Sequence, residues 1–419
     1  MNKILLPSLL MALVLTSCGG SGVDPSSSSS SAPLDEQGYF NRLSDAMDKT
    51  SKVDGYRMYT PHANAKLGIF ENGYVNANVG FLINPGENET NFSLELKKMP
   101  IDIIFAGRNE EDKNKRAFSM TNSLEDVDGK MSGKLGSYPF SNLPVPNFST
   151  YFQDGKLYID AYALARQIRT ITLGSVKIPY DGRVCFPPLS EEEIRNDPEI
   201  SSMLDDMPVD IPSDYEEFNL NDILDMMSFL DDLGGVDFAK VFDRLSEFDY
   251  SLYEVTGPTY WTFEGEDTIK LKIEGQDKLR AFLLSAYDEI FDEIPVVGAE
   301  VPDKEETIDS FLETMNFESF ESVYKFSDKG VAYNKYALAI SSFNSDKFVY
   351  KDEEGVEQPL DIVPNGRFAL SYGFAYDYET TTPKRVTNPK DFTEIDYVDL
   401  LKDLLEAIPS GEEEETSSN

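Results

Sequence analysis

Histidine is nearly missing from this chain: among 419 residues there is one, His62, beside two cysteines and a single tryptophan. A zinc site with His or Cys ligands is therefore excluded by count. A nucleophile paired with a histidine base would have to use His62 in Thr60-Pro61-His62-Ala63-Asn64, an isolated loop histidine, and the chain holds no Gly-x-Ser-x-Gly elbow. A phosphate-cradling glycine loop ahead of a helix is also missing, so metal and nucleotide enzymes are not expected and the chain is read as a non-enzyme without a resident metal or soluble cofactor. Basic residues are scarce as well, 37 against 76 acidic ones, for a formal charge of -39. A field of that sign repels nucleic acid and anionic surfaces and favours solubility in a crowded medium. With so many carboxylates, proximity of any two is uninformative about glycoside chemistry. Asp126-Val127-Asp128-Gly129-Lys130 lacks the ligand series of an EF-hand and reads as a hairpin turn. Asp205-Asp206 and Asp231-Asp232 read as solvated helix faces.

Long apolar runs are absent too, except at the start. Lys3 precedes an apolar stretch from Ile4 to Leu15, too short for a comfortable permanent span, and the stretch ends in Leu15-Thr16-Ser17-Cys18-Gly19. This resembles the lipobox of bacterial lipoproteins. The resemblance implies a signal peptide over 1–17, cleavage between Ser17 and Cys18, and a diacylglycerol on Cys18. The protein is then anchored on the extracytoplasmic side of a cell membrane, facing the cell surface or the periplasm. Residues 18–38, with an unbroken serine run from Ser26 to Ser31, form a flexible tether. Roughly twenty such residues reach about 25 Å in root-mean-square extension. Residues 410–419 form an acidic tail without apolar residues. With Cys18 lipidated only Cys185 remains, so an internal disulfide is impossible, and Cys185 reads as a small buried apolar residue.

The chain is 12% aromatic, and the body between, 39–409, has the pattern of a packed α+β domain. Phe40, Leu43, Met47 and Val53 mark an opening amphipathic helix that ends at Asp54-Gly55. Short strands follow at Leu67 to Phe70, Tyr74 to Ile83, Phe92 to Leu96 and Ile101 to Phe105, then a pair at Ala117 to Met120 and Gly129 to Leu135, then Leu157 to Ile159. From Leu189 to Phe248 carboxylates interleave with Leu and Met at helical spacing, a helical insert. Sheet patterning is expected again over Tyr250 to Phe263 and at Ile269, Leu271 and Ile273. Helices are expected at Leu279 to Ile294 and Ile308 to Met315, and strands at Val323 to Phe326, Val331 to Ile340, Phe348 to Tyr350 and Phe368 to Tyr378, before a last helix at Tyr397 to Ile408. The strand Phe368 to Tyr378 puts Phe368, Leu370, Tyr372, Phe374, Tyr376 and Tyr378 on one face. The segments starting at Phe152 and Phe326 echo each other faintly, which common hairpin rules explain better than duplicated halves do, because the flanks do not repeat.

This order, with the helix from Asn41 to Ser51 followed by a strand and the turn Asp154-Gly155-Lys156-Leu157-Tyr158, resembles the LolA/LppX-like lipoproteins. The resemblance implies a large curved antiparallel sheet, an open half-barrel, with helices on or in its concave face, and binding of acyl chains or lipoproteins there. The chain is longer than usual for that family. Candidate lining residues are Leu224, Met227 and Leu230 of the insert and Phe368, Leu370, Tyr372 and Phe374 of the aromatic strand. The other reading is a surface interaction protein or antigen that binds a macromolecule of unknown identity through its turns and whose hollow is filled by its own helices.

Overall fold

The computed structural model describes residues 35–61, 75–83, 89–110, 113–122, 127–135, 138–174, 179–186, 248–287, 289, 304–351, 357–360 and 362–395. The expected elements at 1–34, Leu67 to Phe70, 189–247 and Tyr397 to Ile408, and the acidic tail, lie outside them. Helix α1 is Glu36–Lys52. Asp35 caps it by accepting from the Gly38 amide at 2.8 Å, and Asp45–Lys49 and Asp48–Lys52 pair along its exposed side. Phe40, Leu43, Ala46 and Thr50 turn inward. Each large apolar side chain so buried contributes about 1.5–3 kcal/mol.

Then come β1 (Tyr56–Tyr59), β2 (Val75–Ile83), β3 (Thr90–Met99), β4 (Ile101–Ala106), β5 (Ala117–Asn122), β6 (Asp128–Leu135), β7 (Tyr138–Pro144), β8 (Ser149–Gln153) and β9 (Lys156–Asp160). Helix α2 (Tyr162–Ile171) and β10 (Arg183–Phe186) follow, and after the undescribed insert α3 (Tyr250–Thr256), β11 (Trp261–Glu264), β12 (Thr268–Glu274), α4 (Gln276–Ser285) and α5 (Lys304–Glu313). The rest is β13 (Met315–Ser327), β14 (Gly330–Phe343), β15 (Val349–Lys351), β16 (Glu357–Pro359), β17 (Ile362–Pro364), β18 (Phe368–Asp377) and β19 (Thr393–Glu394).

Apart from the β15–β16 hairpin, these strands form one 17-stranded sheet. From one edge the rows run β11, β12, β13, β14 and then β18, all antiparallel. Beyond β18 each row consists of two collinear segments. β18 pairs with β2 through Ala369 to Ser371 and with β1 through Ala375 to Asp377. β3 pairs with β2 and β4 with β1, the two joined through Pro100, which has no N–H to give a ladder. β6 and β5 form the next row and β7 and β8 the next; beyond β8 alone come β9, then β10, and a short parallel β19. Among the described residues the sheet does not close: β11 is one edge, and beyond β18 one branch ends at β7 and the other at β19. It is a large, mostly antiparallel α+β sheet of the open half-barrel form that the resemblance implies.

From β11 to β8 one face of the sheet is apolar. Over β11 to β14 that face is covered by helices: Phe40 and Leu43 of α1, Leu252 of α3, Leu279 and Phe282 of α4 and Ile308 and Phe311 of α5 pack on Ile269, Leu271, Ile273, Phe320 and Ile340. Over the bent rows the same face is buried in a second core, which takes Val79, Phe81 and Leu94 from one set of segments and Met58, Ile103 and Met120 from the other.

Three expectations need correction. Tyr250 to Thr256 is a helix, not a strand: Asp249 accepts from the Leu252 amide at 2.7 Å, Gly257 donates to Tyr253 O at 2.8 Å, and only Trp261–Glu264 is extended. The aromatic and β-branched content of Tyr250-Ser-Leu-Tyr-Glu-Val-Thr256 favours strand, and the caps outweigh it. Ala117 to Met120 and Gly129 to Leu135 are not partners but successive segments of one bent row, so Asp128 and Gly129 belong to β6 rather than to a hairpin turn. The helix expected to reach Met315 stops at Glu313, and Met315 opens β13.

Candidate functional site

The aromatic strand β18 occupies the middle of the sheet, where the helix-covered core meets the second core. Its face-mates differ in depth. Tyr372 and Phe374 are 8% and 2% exposed and belong to the second core, while Phe368 and Leu370 are half-buried. On the neighbouring β14, Tyr336 lies opposite Tyr372 and the rings stack at 5.5 Å. Tyr336 and Phe368 each pack against both cores. They mark a seam, with Leu370 beside them and Phe343 against Phe368 at 6.2 Å. At the other end of β18, Tyr376 stacks on Tyr56, and the Arg108 guanidinium lies 5.1 Å from the Tyr56 ring.

Of the residues expected to line a hollow, Phe368, Leu370, Tyr372 and Phe374 therefore share one face, the first two at the seam and the last two within packed core. Leu224, Met227 and Leu230 lie outside the described residues, as do Ser17, Cys18 and His62. Tyr336 was not singled out in sequence, because Val331 to Ile340 carries apolar residues on both faces. Its register opposite Tyr372 is what identifies it.

The opposite, convex face carries a different arrangement. Tyr333 points away from Tyr336 and is 1% exposed, and burial pushes its phenol well above the ordinary tyrosine range. Its ring fits over Gly373, where a Cβ would stand 2.7 Å from Cζ. The segment after β18 then crosses the back of the sheet as a strap. Lys384 reaches Asp102 on β4 and Thr121 on β5, the Val386 amide donates to Gln153 on β8 at 2.8 Å, and Phe392 meets Tyr158 on β9. Beneath it Cys185 is buried beside Tyr158, and desolvation raises its thiol pKa. This placement agrees with the reading of Cys185 as a small core residue.

Among the described residues no group of three or more His, Cys, Asp or Glu is arranged to hold a metal ion, and no helix is long and apolar enough to cross a membrane. No family model, curated protein or solved structure matches this chain.

Proposed function

We propose that this protein is a lipid-anchored lipoprotein on the extracytoplasmic side of a cell membrane that holds an acyl lipid or other hydrophobic ligand against its concave face, as a carrier or sensor. The observation that carries the reading is the seam: Tyr336, Phe368 and Leu370 remain half-buried on the apolar face of β14 and β18, where the two cores meet. Apolar ligand sites are concave, lined by such side chains, and placed where elements meet. The N-terminal Leu15-Thr16-Ser17-Cys18 supports the anchor, with a diacylglycerol on Cys18. The protein does no chemistry of its own in this reading.

The test is native mass spectrometry with lipid extraction on the body expressed from Leu34 in a lipid-containing host. Acyl lipid at fixed stoichiometry, lost in Leu370→Asp while circular dichroism is unchanged, is the expected result. A body that is empty and takes up no fluorescent fatty acid overturns the proposal. The tight burial of Tyr372 and Phe374 favours the second reading, in which the face is simply core and the protein binds a macromolecule through its surface.

A further inference from the structure

We infer that the ligand of the concave face is an uncharged acyl lipid bearing a hydroxyl group, of the monoacylglycerol or long-chain alcohol class, and that Asn334 on β14 accepts from that hydroxyl. The inference rests on the hydrophobic-ligand reading and narrows it. Asn334, Tyr336, Leu338 and Ile340 follow one another on the apolar face of β14, and Asn334 interrupts that face with an amide. It is 7% exposed, and its Oδ1 is buried with no hydrogen-bond partner among the described residues. The register sets it between Tyr324 of β13 and Phe374 of β18. Tyr336, at the seam, is two residues along the strand, about 7 Å away. Ser322 of β13, opposite Tyr336 and diagonal to Asn334, is a second polar residue on this face and is 2% exposed. A buried polar atom left unpaired costs free energy on folding, and a leucine of similar size would avoid that cost. If the face were only core, nothing would favour an amide there.

Other amides in the fold are used differently. Gln276, beside the helix-covered core, donates to Leu312 O at 2.8 Å and Met315 O at 3.1 Å and accepts from the Phe317 amide at 2.7 Å. Asn122 and Gln167 each leave one amide atom unpaired, but both are half-buried and bond a backbone group with the other atom. The chemistry of the missing partner follows from its surroundings. An amide oxygen accepts from a hydroxyl and repels a carboxylate or phosphate oxygen. Lys270, Lys272, Lys325 and Lys335 all lie on the opposite face of β12 to β14, Lys325 paired with Asp267 and Lys335 with Glu321. On the covered side, Arg42 of α1 donates to Glu266 O at 2.8 Å and lies over the Phe326 ring. Among the described residues of β12, β13, β14 and β18, no cation shares the face of Asn334, so an anionic headgroup there would be buried without neutralisation. With its hydroxyl at Asn334, an acyl chain can follow the strand past Tyr336 to Leu370 and Phe368. Phe368 pairs with Ile340, six residues along β14 and about 20 Å from Asn334.

One experiment separates the inference from the reading it rests on. Full-length protein in detergent micelles, stripped of non-covalent lipid, is offered 1-palmitoylglycerol, palmitate, methyl palmitate and phosphatidylglycerol in equal amounts, and native mass spectrometry counts what is bound. Expected is palmitoylglycerol at a fixed stoichiometry, preferred by about tenfold over methyl palmitate and palmitate. Asn334→Leu should abolish that preference, bind methyl palmitate at least as well as the wild type does, and melt no lower than the wild type when both are free of lipid. If none of the four lipids binds, the inference and the hydrophobic-ligand reading fall together. If the lipids bind without preference, or palmitate or phosphatidylglycerol is preferred, the inference fails and the reading stands. A palmitoylglycerol preference that Asn334→Leu leaves intact puts the headgroup elsewhere and overturns the inference. A lipid-free Asn334→Leu that melts several degrees below the wild type shows an amide satisfied within the fold, and overturns it too.

Discussion

The Thr50 hydroxyl lies 2.7 Å from the Tyr378 hydroxyl, joining the end of the first helix to the residue that follows β18. The same Thr50 oxygen receives the Val331 amide, and the two hydroxyl protons are shared among the Thr50–Tyr378 contact, Ala46 O beside Thr50 and Val331 O beside Tyr378. Three segments remote in sequence thus share one small polar cluster beside two apolar cores. Thr50→Val keeps the shape and leaves the Val331 amide without its partner. A loss of about 1–3 kcal/mol is expected. Tyr378→Phe costs less, and a double-mutant cycle read by urea unfolding gives a coupling of the two.

Gly373 is held by its neighbour across the convex face. A Cβ there meets the Tyr333 phenol and the Asn334 carbonyl oxygen, which stands at 3.3 Å. Gly373→Ala is therefore expected to destabilise by about 1–3 kcal/mol or more through overpacking. Tyr333→Leu in the same chain should recover part of that loss, because it removes the ring that the new methyl strikes. Denaturant midpoints of the three variants check this, and a loss that Tyr333→Leu leaves untouched counts against the packing explanation.

Alkaline stability follows from Cys185, Tyr158, Tyr260 and Tyr333, whose pKa values burial raises in the fold. A group that is harder to deprotonate when folded favours the native state in full below its unfolded pKa and loses that contribution as pH rises toward its folded value. Unfolded Cys titrates near ~8.5 and Tyr near ~10. The melting temperature should therefore hold through neutral pH and fall from about pH 9 upward, with Tyr333→Phe showing a shallower fall.

The strap over Cys185 makes thiol labelling a reporter of its attachment. Native protein should react with a maleimide only as fast as it opens, while Val386→Asp, which places a charge in the small cluster with Tyr158 and Cys185, should raise the rate by an order of magnitude or more. Equal rates in the two proteins would mean that the strap does not guard the thiol.

Strands with strict alternation were legible in the sequence. Ile269 to Ile273 shows a period of two because one face meets core and Lys270 and Lys272 face outward, and Phe368 to Tyr378 shows it because large side chains fill one face while small ones such as Gly373 and Ala375 lie under Tyr333 and its neighbours on the other. β7 and β8 were not legible: Tyr138–Pro144 is rich in Pro, Ser and Asn and packs mostly half-exposed side chains, so it is a strand by its pairing with β6 rather than by its composition. Helix α2 was missed because Tyr162 follows a hairpin and has no side-chain cap at Ala161. The bend at Pro100 could be read as a break between two strands, yet it joins collinear halves of a single row, a relation fixed only by long-range pairing. Of the candidate site, the shared face of Phe368, Leu370, Tyr372 and Phe374 was legible, whereas the division into seam and core depends on where helices α1 and α3 to α5 end their cover.

The pairing of β1 with β18 sets an order of events in biogenesis. Arg57 lies opposite Asp377, so the middle of the sheet has no completed row until the chain has emerged almost to its end. Contacts so far apart in sequence form slowly. A chain threaded outward from its N-terminus would keep β1, β2 and their apolar faces waiting, open at both edges, for most of its passage, a state in which unpaired strands are prone to join the wrong neighbour. The interval between emergence of the first helix and arrival of β18 is thus when this chain would most need a holding chaperone, and a truncation ahead of Phe368 should yield aggregate rather than a smaller folded body.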